Sequence, residues 1–240
     1  MIKKLLIVSC SGLLLSIVLL SSAWVVGGSH LMERLDKGDD WFLDVSDDEG
    51  EGDETAMVTR TLALDTSQPL EIAAPVELRY IKGDTARLTV RGPERLMKGL
   101  AWEKGQLSLK EDHWFHNRSL KIEITAPEMP DLLYRGAGDI RLEHIDQPAL
   151  ALEMAGAGNI TARGRVQELT VQSRGAGNID LSELVARDAI VSLAGVGNID
   201  INASGKVDAT LSGAGNVSLH RKPAELTSRI HGIGSIDNDY

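Results

Sequence analysis

Gly175-Ala176-Gly177-Asn178-Ile179-Asp180-Leu181 decides the fold, because the same string returns at near-constant spacing through the second half of the chain. Six Gly-x-Gly triplets occur: Gly136-Ala137-Gly138, Gly156-Ala157-Gly158, Gly175-Ala176-Gly177, Gly195-Val196-Gly197, Gly213-Ala214-Gly215 and Gly232-Ile233-Gly234. Successive triplets start 20, 19, 20, 18 and 19 residues apart. The residues that follow repeat as well: Asp139-Ile140, Asn159-Ile160, Asn178-Ile179, Asn198-Ile199, Asn216-Val217 and Ser235-Ile236. A fixed period of this length marks an architecture of stacked units. On either side of a triplet the sequence alternates with period two, as in Ile199-Asp200-Ile201, which is the signature of strands. Nothing between triplets is long enough, or suitably patterned, for a helix. The spaced leucines of a leucine-rich repeat are missing. The expected fold is all-β, a parallel β-helix or β-solenoid in which each unit of about 19 residues makes one turn.

One turn cannot bury its inward side chains alone. Stacking turns at about 4.8 Å pairs the backbone and buries a continuous aliphatic column. Glycines at matching positions let the backbone bend, or take positive φ, without a Cβ clash. The Ala, Val or Ile between them is expected to point inward. Asn159, Asn178, Asn198 and Asn216 are expected to stack as an amide ladder. Asp139 and Ser235 take the equivalent sites in the first and last units, where terminal turns should depart from the rule. A Ca²⁺-binding row is the other reading of these positions, but the β-roll that binds Ca²⁺ has a nine-residue unit with Asp.

Residues 131–240 hold the regular repeats. Residues 57–130 read as β without the clean period, as irregular turns of the same solenoid. Strand candidates there are Leu62-Ala63-Leu64, 76–81, 87–90, 106–109 and 120–124, with turns at Gly83-Asp84, Gly92-Pro93 and Lys104-Gly105. All four Trp and both Phe precede residue 116. A core without large rings is narrow, or built from aliphatic layers.

The N-terminus reads as an address. Met1-Ile2-Lys3-Lys4 is a short positive region, and residues 5–20 form an apolar run. Ser21-Ser22-Ala23 offers small residues for cleavage after Ala23, as in a secretory signal. Residues 5–26 are also long enough to cross a bilayer as an uncleaved anchor, with Lys3 and Lys4 held inside. Both readings of residues 1–26 stay open, and both place the chain outside the cytoplasm: in the periplasm, membrane-anchored, or at the cell surface. Residues 27–56 follow as a linker. Residues 31–56 carry eleven Asp or Glu against Arg34 and Lys37, a net −9. Such a run repels itself and buries nothing. It holds no loop with the spacing of an EF-hand, so a solvated spacer is the expected role.

Residues 57–240 carry 21 Lys or Arg against 24 Asp or Glu, so the remaining part is close to neutral. That excludes a basic nucleic-acid surface. The single cysteine, Cys10, excludes a disulfide framework and a thiolate metal site.

The repeated Gly-Ala-Gly-Asn-Ile follows a strand ending in Thr125-Ala126-Pro127 and the string Leu132-Leu133-Tyr134-Arg135-Gly136. Over roughly residues 57–240 the chain resembles the GIN-domain family, the head domain of autotransporter adhesins. The resemblance implies an export signal followed by a single-stranded, right-handed β-helix, a hand that agrees with the general preference of β-crossovers. It implies no catalytic residue and no cofactor.

Catalytic motifs are missing from the sequence: no GxSxG, Walker A, HExxH or Cys-His pairing occurs. His113 and His116, in His-Trp-Phe-His, make a weak metal candidate, and His144, His220 and His231 are scattered. Arg135, Arg163 and Arg174 are expected to share an outer face with nearby acids. A polysaccharide lyase would need such a cluster, but fold analogy alone does not warrant one. Two classes remain. One is a non-enzymatic binding module that presents a solenoid face to an envelope or surface glycan or protein. The other is a scaffold whose solenoid ends self-associate, against which Asp237 and Asp239 would act by charge.

Overall fold

The protein is described from a computed structural model, covering residues 56–110 and 119–240. The signal or anchor segment, the acidic linker up to residue 55, and His113 and His116 lie outside the described residues. Among the described residues sixteen strands and one short helix follow in the order β1 (Met57–Ala63), β2 (Leu70–Ala73), β3 (Val76–Lys82), β4 (Arg87–Pro93), α1 (Glu94–Lys98), β5 (Leu100–Glu103), β6 (Gln106–Leu109), β7 (Leu120–Ala126), β8 (Leu132–Tyr134), β9 (Ala137–Met154), β10 (Ala157–Ser173), β11 (Ala176–Leu193), β12 (Val196–Ala203), β13 (Lys206–Leu211), β14 (Ala214–Leu219), β15 (Glu225–Ile230) and β16 (Ile233–Asn238).

The chain is an all-β solenoid of about five turns. One stack runs β3-β9-β10-β11-β12-β14-β16, with every neighbouring pair parallel. A second runs β2-β8-β9-β10-β11-β13-β15, also parallel throughout. The long strands β9, β10 and β11 serve both stacks because each bends midway, where the register slips between Ala162 and Gly164. Further along, the bend becomes a break between β12 and β13, in the unit with the shortest spacing.

Alternation decides what goes inside. Ile140, Ile160, Ile179, Ile199 and Val217 stand in one inward column, all fully buried. Leu152, Val171, Val191 and Ala209 form another on the facing stack. Layers this thin have room for aliphatic side chains only. The two buried rings, Tyr80 and Tyr134, sit in the first turns.

The N-terminal part differs from a plain run of irregular turns. β2, β3, β7 and β8 continue the parallel stacks. Beyond β7, however, β4 and then β1 add in antiparallel fashion, and β5 folds back on β6. Gly92-Pro93 is no turn; it ends β4, with Gly92 opposite Val58. Pro93 then takes the position before α1, whose Leu96 and Met97 are buried. At Lys104-Gly105 both residues take positive φ, the geometry of a tight β-hairpin turn.

Tyr80 donates a hydrogen bond to the Ala126 carbonyl at 3.0 Å, whereas the Tyr134 hydroxyl has no partner. Burial raises the Tyr80 hydroxyl to about 12 and pushes Tyr134 higher still, helped by the Asp139 carboxylate. A tyrosine in the unfolded chain ionises near 10. The neutral rings therefore support the fold fully below pH 10, and that support is lost as the pH rises through 12. Denaturant midpoints measured from pH 8 to 12 should hold up to pH 10 and fall beyond it. Tyr134→Phe should blunt the fall while costing less than about 0.5 kcal/mol at pH 7, because no hydrogen bond is removed.

Candidate binding face

The Gly-x-Gly corners build an outer strip, and packing fixes its direction. Gly177 has φ +140°, and a Cβ there would stand 1.7 Å from the Gly158 carbonyl oxygen. At Gly175 a Cβ would meet the Gly156 carbonyl oxygen at 1.9 Å. Both glycines thus lie against the backbone of the turn before. Counting back by twos from the buried Ile179 gives the same answer: the glycines take the inner side and the residue between them faces out. The expectation of an inward Ala, Val or Ile is therefore corrected. Ala137, Ala157, Ala176, Val196 and Ile233 are exposed, and Ala214 is half-buried. They are register partners and form one apolar column on the surface.

Two residues further on stands a polar column. Asn159 Nδ2 donates to Asp139 Oδ1 at 3.0 Å, Asn178 Nδ2 to Asn159 Oδ1 at 3.4 Å and Asn198 Nδ2 to Asn178 Oδ1 at 3.1 Å. Asn216 Nδ2 donates to Asn198 Oδ1 at 3.4 Å, and Ser235 Oγ to Asn216 Oδ1 at 2.9 Å. Each asparagine nitrogen carries two hydrogens, and the ladder uses one. A row of exposed amide donors remains, one per turn, about 4.8 Å apart.

A third column follows after two more residues: Arg141, Thr161, Asp180, Asp200, Ser218 and Asp237. The Ser182 hydroxyl and backbone N–H both donate to Asp180 Oδ1, holding its carboxyl below the usual carboxylate range and so ionised. His220 Nε2 lies 3.1 Å from Asp200 Oδ1. Of these acids, sequence reasoning singles out only Asp237, for its charge at the last turn. Aligning the repeats on their asparagines places them together, because every third-column residue is two positions past a ladder residue.

The arginine trio is split. Arg135 bridges Glu71 at 3.2 Å, and Arg174 bridges Glu153, on one strip. Arg163 pairs with Glu183 at the bend on the far side of the ladder stack. His144 also sits at that bend, with φ +59°, away from His220 and His231. Among the described residues no three His, Cys, Asp or Glu stand together as a metal site, and no helix is long and apolar enough to cross a membrane.

The sequence profile of the family described as "Putative auto-transporter adhesin, head GIN domain" matches residues 68–223. No curated protein matches the chain. Among solved structures, a putative adhesin from Bacteroides fragilis is similar at 21% identity, with 76% of this chain and 96% of that chain covered and a TM-score of 0.60. A putative lipid binding protein from Parabacteroides distasonis shares 20% identity over 76% of this chain and 96% of its own, with a TM-score of 0.42. A putative adhesin from Parabacteroides merdae shares 12% over 76% and 95%, with a TM-score of 0.42.

Proposed function

The chain belongs to the family of the putative auto-transporter adhesin head GIN domain, and from that premise we propose that it is an exported, non-enzymatic binding module of the cell envelope. It presents the ladder face of a right-handed solenoid to an extended glycan. Residues 1–26 serve as the export signal or as a retained membrane anchor, and residues 27–56 as an acidic spacer before the domain at 57–240.

The three parallel columns carry the glycan reading. An apolar strip can lie against the C–H face of a sugar ring. The free amide hydrogens beside it can donate to ring and hydroxyl oxygens. The carboxylates of Asp180 and Asp200 can accept from sugar hydroxyls. Because the apolar and amide columns repeat once per turn, a polymer laid along the stack meets the same two contacts at each step, with carboxylate acceptors added at Asp180 and Asp200. The face carries Asp139, Asp180, Asp200 and Asp237 against Arg141, an acidic balance that supports an uncharged polymer and disfavours nucleic acid.

The full chain, purified in mild detergent, should be retained on an insoluble cell-wall polysaccharide fraction and be released by soluble fragments of the same polymer. If no polysaccharide fraction retains it while a surface protein fraction does, the glycan is the wrong ligand class and the face serves a protein partner. If it binds neither and self-associates instead, the scaffold reading replaces the binding one.

A further inference from the structure

The two ends of the solenoid are built differently. At the N-terminal end the parallel stack gives way to antiparallel strands: β4 lies on β7 and β1 on β4, β1 keeping one edge unpaired among the described residues, and α1 buries Leu96 and Met97 beside them. At the C-terminal end, among the described residues, β15 pairs only with β13, and β16 only with β14. Each leaves one edge of backbone N–H and C=O groups open. The inward side chains of this last turn are uncovered too. Leu226 is 39% exposed and Ile230 is 49% exposed, although their partners one turn back, Val207 and Leu211, are fully buried. Among the described residues nothing lies over them.

We propose that this end is covered by the same end of a second copy, forming a two-fold dimer in which β15 pairs antiparallel with the partner's β15 around Thr227. Three observations select this occupant. First, the N-terminal end finishes on the antiparallel strand β1 rather than on a parallel stack, so the two ends present unlike edges, and like end on like end is the closed, isologous contact. Second, the chain already ends its other stack by adding antiparallel strands to parallel ones, so the junction is one this fold tolerates. Third, the outward face of β15 is self-complementary. Its outward residues are Glu225, Thr227 and Arg229, which follow Lys206, Asp208 and Thr210 in register. A two-fold axis at Thr227 sets each Glu225 opposite an Arg229 of the other copy. The existing pairs Lys206–Glu225 at 3.4 Å and Arg229–Asp208 at 2.7 Å then join into two networks across the axis. Inside, the same register sets each Leu226 opposite a Ser228 and each Ile230 opposite an Ala224 of the other copy, which takes both side chains out of solvent. Asp237 and Asp239 lie on and beyond β16, so they do not oppose a contact carried by β15.

The test is the mass of the full chain in mild detergent by light scattering across a dilution series, with Cys10→Ser as background for crosslinking. A concentration-dependent dimer with no larger species is expected. Glu225→Arg or Arg229→Glu should each weaken it by about tenfold, since attraction becomes repulsion at two symmetric pairs. The double exchange Glu225→Arg with Arg229→Glu should restore it. Thr227→Cys should form an intermolecular disulfide on oxidation, because paired antiparallel Cα atoms stand within disulfide reach; Thr170→Cys, three turns back on the same face, should not. A monomer at every concentration, a failed charge rescue, or equal crosslinking of both cysteines overturns the proposal.

Discussion

Gly177→Ala splits the solenoid. The new methyl would lie 1.7 Å from the Gly158 carbonyl oxygen and 2.8 Å from its carbon, and both are backbone atoms that cannot rotate aside. The residue would also have to hold φ at +140°, a conformation that a side chain resists. Relief requires the two turns to part, which breaks ladder bonds such as Ala176 N–H to the Gly156 carbonyl at 3.0 Å. In a stack each turn is held by its neighbours, so the damage spreads toward the C-terminus. We expect a loss of about 4 kcal/mol or more, seen as a fall in Tm of about 10 °C or more. Hydrogen exchange should show the protection of β12 to β16 lost before that of β3 and β7. Gly83→Ala is the matched control. Its Cβ would meet only the Thr125 side chain, 2.5 Å from Cγ2, which can turn aside, and φ there is ordinary for any residue. That change should cost only about 1 kcal/mol.

Ile179→Ala should cost about 2–5 kcal/mol, because it opens a cavity between Ile160 and Ile199 in a column with no solvent access. Ile190→Ala, on the same strand, should cost less than about 0.5 kcal/mol. Ile190 lies within the run Ala189-Ile190-Val191 yet is 58% exposed, while both neighbours are buried. Urea midpoints of the two variants check the inside-outside assignment directly. Equal losses would mean that the register of β11 is wrong.

The repeats carried most of the fold. A Gly-x-Gly-Asn-Ile string returning every 18 to 20 residues admits few structures other than stacked turns, and alternation around Ile199 gave strands. The direction of the residue between the glycines was legible too, by counting back from Ile179, but the eye reads Ala, Val or Ile as core. The physical reason it faces out is the glycine pair itself, which fills the inner side with backbone. The N-terminal closure was harder to see. β2 is four residues long, between Pro69 and Pro75, too short for alternation to register. α1 is announced by Pro93-Glu94 at its start and Lys98-Gly99 at its end, yet five residues give no helical period. Antiparallel addition of β4 and β1 depends on contacts distant in sequence, which no local pattern records.

The candidate face was half legible. The asparagine ladder stands out because it repeats. The Asp180 and Asp200 column does not, because its members vary from Arg141 through Thr161 to Ser218, as solvent-facing positions do when packing does not constrain them.

Binding by paired face variants tests the central claim most directly. Asn178→Ala with Asn198→Ala removes two adjacent amides from the ladder face; Thr170→Ala with Thr210→Ala trims the opposite stack. Measured against the polysaccharide fraction that retains the full chain, the asparagine pair should weaken binding by about tenfold, with two hydrogen bonds lost at about 0.5–1.5 kcal/mol each, and the threonine pair should leave it unchanged. Equal effects from both pairs, or a loss confined to the threonine pair, would contradict the ladder face as the binding surface.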